Sequence, residues 1–196
     1  MDPVQVDFCH GELIANLVKC HKPKSVLELG FGSGFTARKI LAAIEYNETG
    51  ELNRHYGSPA TYTMVDNWLD WREKGIPPPD LSEFKGTRAK IVESSEYDFV
   101  RSAHTKWDFI FSDADHFNTD KWFEYVFDNL LNDNGILVYH DVCEKAPESG
   151  EFWFPNLANI IRKTRERKLS HYLFNKDSLA SERCWRGLLV IFKNTS

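Results

Sequence analysis

The chain predicts an α/β fold: a three-layer sandwich around a mostly parallel sheet of seven strands, the last of them antiparallel. Three observations predict it. Apolar strand-like runs alternate with helical stripes along most of the length. Val26–Leu29 is an apolar run that enters a glycine turn and then a helical pattern, Ala37, Ile40, Leu41 and Ile44. The last two strand-like runs, His171–Phe174 and Leu188–Phe192, are separated only by a polar turn. At 196 residues the chain has room for one domain with a real core, so a single domain over 1–196 is expected.

The elements follow in order. Leu13, Ile14, Leu17 and Val18 recur at helical spacing, and His21-Lys22-Pro23 closes that first helix. Strand one is Ser25–Leu29, and the helix after it runs to about Ile44. Asn47–Pro59 is a polar, turn-rich insertion, and strand two is Thr61–Val65, ending at Asp66. Residues 67–88 form an irregular excursion with Trp68, Trp71, Phe84 and the run Pro77-Pro78-Pro79. Triple proline cannot continue a helix or a central strand, which puts the stretch at the carboxyl edge of the sheet. Ala89–Val92 is strand three, and Trp107–Ser112, read as an apolar run, is strand four. Phe123, Val126, Phe127, Leu130 and Leu131 make a helical stripe stopped by Asn132-Asp133-Asn134-Gly135, with Thr119 or Asp120 as its cap. Ile136–Tyr139 is strand five, and Pro155 opens a last helix with Leu157, Ile160 and Ile161 inward.

Composition narrows the function. A formal charge of −5 offers no general attraction to nucleic acid or anionic membrane. No signal-peptide pattern or membrane-length apolar run is visible. Cys9, Cys20, Cys143 and Cys184 are scattered without metal-site spacing, so they read as free thiols of a reducing, cytoplasmic compartment. The basic run Ile161–Lys168 reads as a solvated helix end. Oligomeric state is not legible.

The chemistry gathers where open α/β sheets bind ligands, beyond the carboxyl ends of the strands. Strand one supplies Glu28 and then Gly30-Phe31-Gly32-Ser33-Gly34. Such glycines let backbone approach a ligand, and the next helix offers free N–H groups. Strand, glycine turn and helix in this order make the sheet Rossmann-like. Asp66 ends strand two where a ribose diol would lie, with a turn or capping Asp as the alternative. It lies farther from the glycines than the usual roughly 20 residues, an excess that the insertion explains. Asp113, Asp115 and His116 follow strand four, while His140 and Asp141 follow strand five. Two carboxylates and two imidazoles at adjacent strand ends suit a divalent metal or a proton transfer. Loop acids capping the next helix are the alternative. Trp68, Trp71 and Phe84 either cover a substrate or fill core, and the nearby prolines and charges favour an edge position.

Gly30-x-Gly32-x-Gly34 preceded by Glu28 resembles the first motif of class I S-adenosylmethionine-dependent methyltransferases. Asp113-x-Asp115-His116 and Gly135–Asp141 resemble the small-molecule O-methyltransferases of catechol and macrocin type, and Arg186–Lys193 resembles their last strand. The similarity spans roughly Val26 to Lys193. It implies S-adenosylmethionine as cofactor, with Glu28 facing the methionine amino group. Gly30, Phe31, Gly32, Ser33, Gly34, Asp66, Ser94, Ser95 and Asp113 would line that site. It also implies a magnesium-type site at Asp113, His140 and Asp141, and a general base at Asp115. His140 departs from the acidic ligand of that pattern, which favours Mn, Zn or Fe or makes His140 itself a base. His116 is a further candidate base.

The expected reaction is therefore methyl transfer to a small-molecule hydroxyl. A nicotinamide oxidoreductase would place its third glycine one residue later and bring a Tyr-x-x-x-Lys base, and neither is present. A non-catalytic cofactor-binding member remains an alternative, as does methylation of protein or nucleic acid. The acidic balance weakens the last of these.

Overall fold

The computed structural model describes residues 8–49, 59–144, 154–174 and 187–195. Most of the predicted insertion, the polar turn between the last two strands, Cys184 and Arg186 lie outside them. The elements are α1 (Phe8–His21), β1 (Ser25–Leu29), α2 (Phe35–Thr49), β2 (Thr61–Asp66), α3 (Leu69–Glu73), β3 (Ala89–Glu93) and α4 (Glu96–Ser102). After them come β4 (Trp107–Ser112), α5 (Phe123–Tyr125), β5 (Leu131–His140), α6 (Pro155–Glu166), β6 (Ser170–Phe174) and β7 (Leu188–Phe192).

The seven strands pair in the order β3-β2-β1-β4-β5-β7-β6. All pairings are parallel except those of β7, which runs antiparallel between β5 and β6. β1 is central and buried from Val26 onward, as a strand with neighbours on both edges and helices on both faces must be, and its one polar residue there is Glu28. Alternate residues feed two cores. Val26, Tyr62, Met64 and Phe109 meet Ile14, Ala37 and Ile40 on one face. Leu27, Val65, Ile110 and Leu137 meet Phe123, Val126 and Ile160 on the other. This is the predicted three-layer sandwich.

Several local readings are corrected. α2 runs on to Thr49, where the Asn47 side chain donates to Val18 O at 3.0 Å and ties the helix end to α1. β4 is not wholly apolar. The Asp108 carboxylate accepts from Lys24 N and Ser25 N, and it pins the start of β1 to β4. Leu131 belongs to β5, not to the helix before it, which ends in a π-turn over Val126–Leu130. The run from Asn132 to Gly135 is a bulge inside β5. Its register against β4 slips between Trp107 and Phe109, and Asn132 Nδ2 donates to Asp108 Oδ1 at 2.8 Å. Neither Thr119 nor Asp120 caps α5. Asp120 Oδ2 accepts from Asn159 on α6, and Thr119 is buried beneath α4.

The excursion is more ordered than its composition implies. It holds α3 and a short 3₁₀ turn, Ser82–Phe84. Trp68 and Phe84 are buried in the core on the α1–α2 face, so those two rings fill space rather than cover a site.

Glu96 knots three segments together. Ser112 Oγ donates to Glu96 Oε1 at 3.0 Å, and Glu96 Oε2 lies 3.1 Å from Thr119 Oγ1. Thr119 Oγ1 also lies 2.5 Å from Asp115 O, to which it donates. The Thr119 hydroxyl is thus shared between Glu96 Oε2 and Asp115 O. Burial pushes Glu96 from 4.5 up to about 7, against the hydrogen bonds donated by Ser112 and Thr119. A raised carboxyl stabilises the fold fully below about pH 4.5 and loses that contribution as pH rises to 7. Glu96→Gln keeps a donor and cannot ionise. Its stability relative to wild type should grow by on the order of 3 kcal/mol between pH 4.5 and 8. Urea unfolding of both proteins at each pH measures this, and a difference that stays constant with pH would disprove the protonated knot.

Candidate functional site

The glycine turn is fixed from both sides. Gly30 N donates to Val65 O at 2.8 Å, and Asp113 N donates to Leu29 O at 2.8 Å. Gly30 has φ +78°, and a Cβ there would lie 2.5 Å from Asp113 O and 2.7 Å from the Ala114 backbone. No other residue type fits so close a crossing of β1 and β4. Gly32, at φ +49°, donates its N–H to Asp66 Oδ2 at 2.8 Å and accepts from Trp68 Nε1 at 3.0 Å. The Phe31 ring is buried edge-on against Trp68, so Phe31 offers a ligand only backbone. Ser33 O accepts from Arg38 Nη2, and Gly34 N donates to Phe31 O at 2.7 Å.

Acid surrounds this turn. Glu28 is fully buried and takes a short hydrogen bond from Tyr62 OH on β2. Its Oε1 has no hydrogen-bond partner. Burial lifts its pKa to about 8, Tyr62 opposes the shift, and the nearby Asp113 and Asp66 carboxylates add to it. Asp66 is also raised by burial, and it accepts from Trp68 N at 2.7 Å besides Gly32 N. The sequence left Asp66 open between ribose binding and a turn, and its carboxylate does close that turn. Both oxygens keep a lone pair for a further donor. Ser94 and Ser95 follow β3, and Ser94 N donates to Asp66 O at 3.1 Å. The Ser95 hydroxyl caps α4 through Asp98 N, and the Ser94 hydroxyl donates to Ser95 O.

The second constellation stands beside the first, at the ends of β4 and β5. His140 Nδ1 lies 3.2 Å from Asp113 Oδ1 and 3.3 Å from Asp141 Oδ1. One ligand atom each from Asp113, His140 and Asp141 lies within 4.8 Å of the others. Asp141 turns back with φ +57°, a left-handed conformation rare outside glycine. Its buried Oδ1 makes no hydrogen bond. These donors fit a divalent cation: two hard oxygens, one of them unmet, and one imidazole nitrogen. His116 Nε2 sits 3.4 Å from Asp113 Oδ1 and 3.2 Å from Asp141 Oδ2. Burial alone would lower its pKa, but the two carboxylates win and push it up to about 10. The imidazoles in turn hold Asp113 and Asp141 below the usual carboxylate range despite their burial.

Asp115 stands differently from its neighbours. Its Oδ1 accepts from Phe117 N at 3.1 Å and its Oδ2 from Asn118 Nδ2 at 2.8 Å. The sequence left Asp115 without a structural duty, yet it closes its own loop as an Asx turn.

Two contributors escaped the sequence reading. His10 on α1 places Nδ1 3.2 Å from His140 Nε2. Its signal was present: His10, Ile14 and Val18 share one helical stripe, and a histidine on a buried stripe needs a polar partner. The Phe154 ring lies 4.5 Å from His116, and no local pattern pointed to it.

Comparison with known proteins agrees with this architecture. A family model described as a methyltransferase domain matches residues 27–142. No curated protein matches. Among solved structures, the chain is similar to the O-methyltransferase TomG of Streptomyces achromogenes, involved in tomaymycin synthesis and solved with S-adenosylmethionine. That likeness has 12% identity and a TM-score of 0.73, covering 100% of this chain and 84% of that one. It is also similar to a Bacillus cereus O-methyltransferase solved with S-adenosylhomocysteine, at 14% identity and TM-score 0.68, covering 97% and 84%. A third is the S-adenosylhomocysteine-bound methyltransferase PaMTH1 of Podospora anserina, at 16% identity and TM-score 0.65, covering 95% and 78%.

The crossing at Gly30 gives a direct test of the site's frame. Gly30→Ala meets backbone on β4 and keeps an unfavourable φ, so it should cost about 3 kcal/mol or more in urea unfolding of the ligand-free protein. A loss below about 1 kcal/mol would mean that the two strand ends are not in contact.

Proposed function

The chain belongs to the methyltransferase-domain family, and from that premise we propose that it moves a methyl group from S-adenosylmethionine to a hydroxyl of a small molecule. The acid around the glycine turn carries this reading. Glu28 Oε1 is buried without a hydrogen bond, and Asp66 and Asp113 stand near enough to raise the Glu28 pKa. An unmet carboxylate oxygen among acids favours a cationic ligand. S-adenosylmethionine, when bound, supplies an ammonium, a sulfonium and an electrophilic methyl. The same acids oppose the pyrophosphate of a nicotinamide dinucleotide.

The residues divide the work. Glu28 and Asp113 receive the amino-acid end. The Gly30–Gly34 backbone, with Phe31 and Ser33, frames the nucleoside, and Asp66 accepts from the ribose hydroxyls. Ser94 and Ser95 border the base through backbone, since both hydroxyls already have partners. Asp113, His140 and Asp141 would hold a divalent ion, which acidifies an acceptor hydroxyl there. His140 shifts the choice of ion from magnesium toward manganese, iron or zinc.

Among the three candidate bases, His116 is best placed. His140 is only 2% exposed, and Asp115 is committed to its turn. His116 leaves 23% of its side chain accessible at the rim. It keeps its proton while Asp113 and Asp141 are uncompensated, and compensation of those charges frees it to accept one. The net charge of −5 supports a small-molecule acceptor over nucleic acid. Cys9 and Cys20 are free thiols, which supports a reducing, cytoplasmic setting. No described helix is long and apolar enough to cross a membrane.

Calorimetry tests the cofactor. S-adenosylhomocysteine should bind wild type, NAD should not, and Gly32→Val should abolish the first signal. NAD binding without any S-adenosylhomocysteine signal would reverse the reading. Turnover of radiolabelled S-adenosylmethionine against a panel of small hydroxyl compounds tests the base. His116→Gln should lower kcat by about 10²–10⁴-fold and leave S-adenosylhomocysteine affinity unchanged. Wild-type turnover in His116→Gln would move the base elsewhere.

A further inference from the structure

His10 comes from the first helix, far in sequence from every strand end, yet it completes the cluster from behind. Its Nδ1 lies 3.2 Å from His140 Nε2, and both side chains are buried. The two rings meet edge to face, with centroids 5.2 Å apart and planes at 84°. The opposite nitrogen of His140, Nδ1, is the atom that faces Asp113 and Asp141. His10 therefore reaches the ligand atoms of this cluster through His140.

A neutral imidazole has one N–H and one lone pair, and the partner of one nitrogen fixes the role of the other. If His140 Nδ1 carries the hydrogen, it donates to Asp113, and Nε2 must accept from His10 Nδ1. If Nε2 carries it, Nε2 donates to His10 Nδ1, and the Nδ1 lone pair points between the two carboxylates. Only the second arrangement presents three donors to one cation. His10 serves either arrangement, because its Nδ1 can donate or accept according to its own tautomer.

We propose that His10 is a positioning residue of the divalent-ion site. It takes the Nε2 hydrogen of His140 and so turns the His140 Nδ1 lone pair toward an ion shared with Asp113 and Asp141. This rests on the ion-binding reading given above. A carboxylate or carbonyl partner would accept one arrangement only. A histidine partner lets the cluster stay hydrogen-bonded without an ion and present a ligand with one. Outer-shell partners of this kind typically account for about 10–100-fold in metal affinity.

The 196-residue chain can be titrated with cobalt(II) alone and followed by visible absorption and calorimetry. Wild type should bind, and Asp113→Asn should not. His10→Leu should weaken binding by about 10–100-fold. His10→Asn puts Oδ1 near the place of the lost Nδ1, so its affinity and its cobalt spectrum should stay close to wild type. Imidazole ¹⁵N NMR of the zinc(II)-loaded wild type should show His140 with hydrogen on Nε2 and metal on Nδ1, and this readout needs no variant to fold. Cobalt affinity unchanged in His10→Leu, or lost equally in His10→Asn, overturns the proposal, as does hydrogen on Nδ1 in the zinc form. S-adenosylhomocysteine calorimetry on the same samples separates the two readings. Wild type that binds S-adenosylhomocysteine but no cobalt(II) overturns the ion site and His10's part in it, and leaves the methyltransferase reading standing.

Discussion

Two backbone hydrogen bonds set the level at which the central strands stop: Gly30 N to Val65 O, and Asp113 N to Leu29 O. They continue the parallel ladders of β1 with β2 and of β1 with β4 past their last paired residues. Because the strands run parallel, their carboxyl ends lie side by side. Glu28, Asp66 and Asp113 are thereby gathered although the sequence separates them widely. The glycine at position 30 is a consequence of this constraint, since the backbone of β4 occupies the place where a side chain would stand.

Gathering acids in a buried place has a cost, and the two halves of the site meet it differently. Around the glycine turn there is no cation among the named partners, so burial shifts Glu28 toward its neutral form. At the ends of β4 and β5, His116 supplies charge, and the imidazoles of His116 and His140 hold Asp113 and Asp141 ionised. A proton resides on the Glu28 carboxyl in the first half and on the His116 imidazole in the second. Both are states that a cationic ligand displaces, so the ligand-free site already stores the charge pattern of what it would bind.

Much of this was legible from local pattern. Strand β1, the glycine turn, the strand-end acids and the three-layer order all follow from periodicity and turn chemistry. What escaped depended on contacts distant in sequence. The bulge in β5 looked like a helix stop because Asn-Asp-Asn-Gly is good turn chemistry. Asn134 N instead donates to Lys193 O, and Lys193 N to Gly135 O, and these bonds to the segment after β7 keep the run within the sheet. Trp68 and Phe84 looked like edge residues because prolines and charges surround them, but the space beneath the glycine turn needed filling. His10 was readable as a buried polar residue, but its partner lies 130 positions away. Periodicity tells which face is inward, and it does not tell what that face meets.

The two halves are also supported unequally. Phe31 and Trp68 pack under the glycine turn, and Trp68 Nε1 reaches up to the Gly32 carbonyl, so a core directly holds the backbone proposed to frame the nucleoside. The other half stands on a loop. Asp115 closes that loop on itself, and Asn156 at the start of α6 donates to Phe117 O. Phe154 lies against both His116 and Phe117, and the Phe117 ring is 68% exposed. A shared cofactor demands one fixed geometry, which strands and core supply. An acceptor demands a shape particular to it, and loop rings such as Phe117 can change without disturbing β1 or β4. This division explains why the cofactor half could be read from a short motif, whereas the acceptor's identity has no motif to carry it.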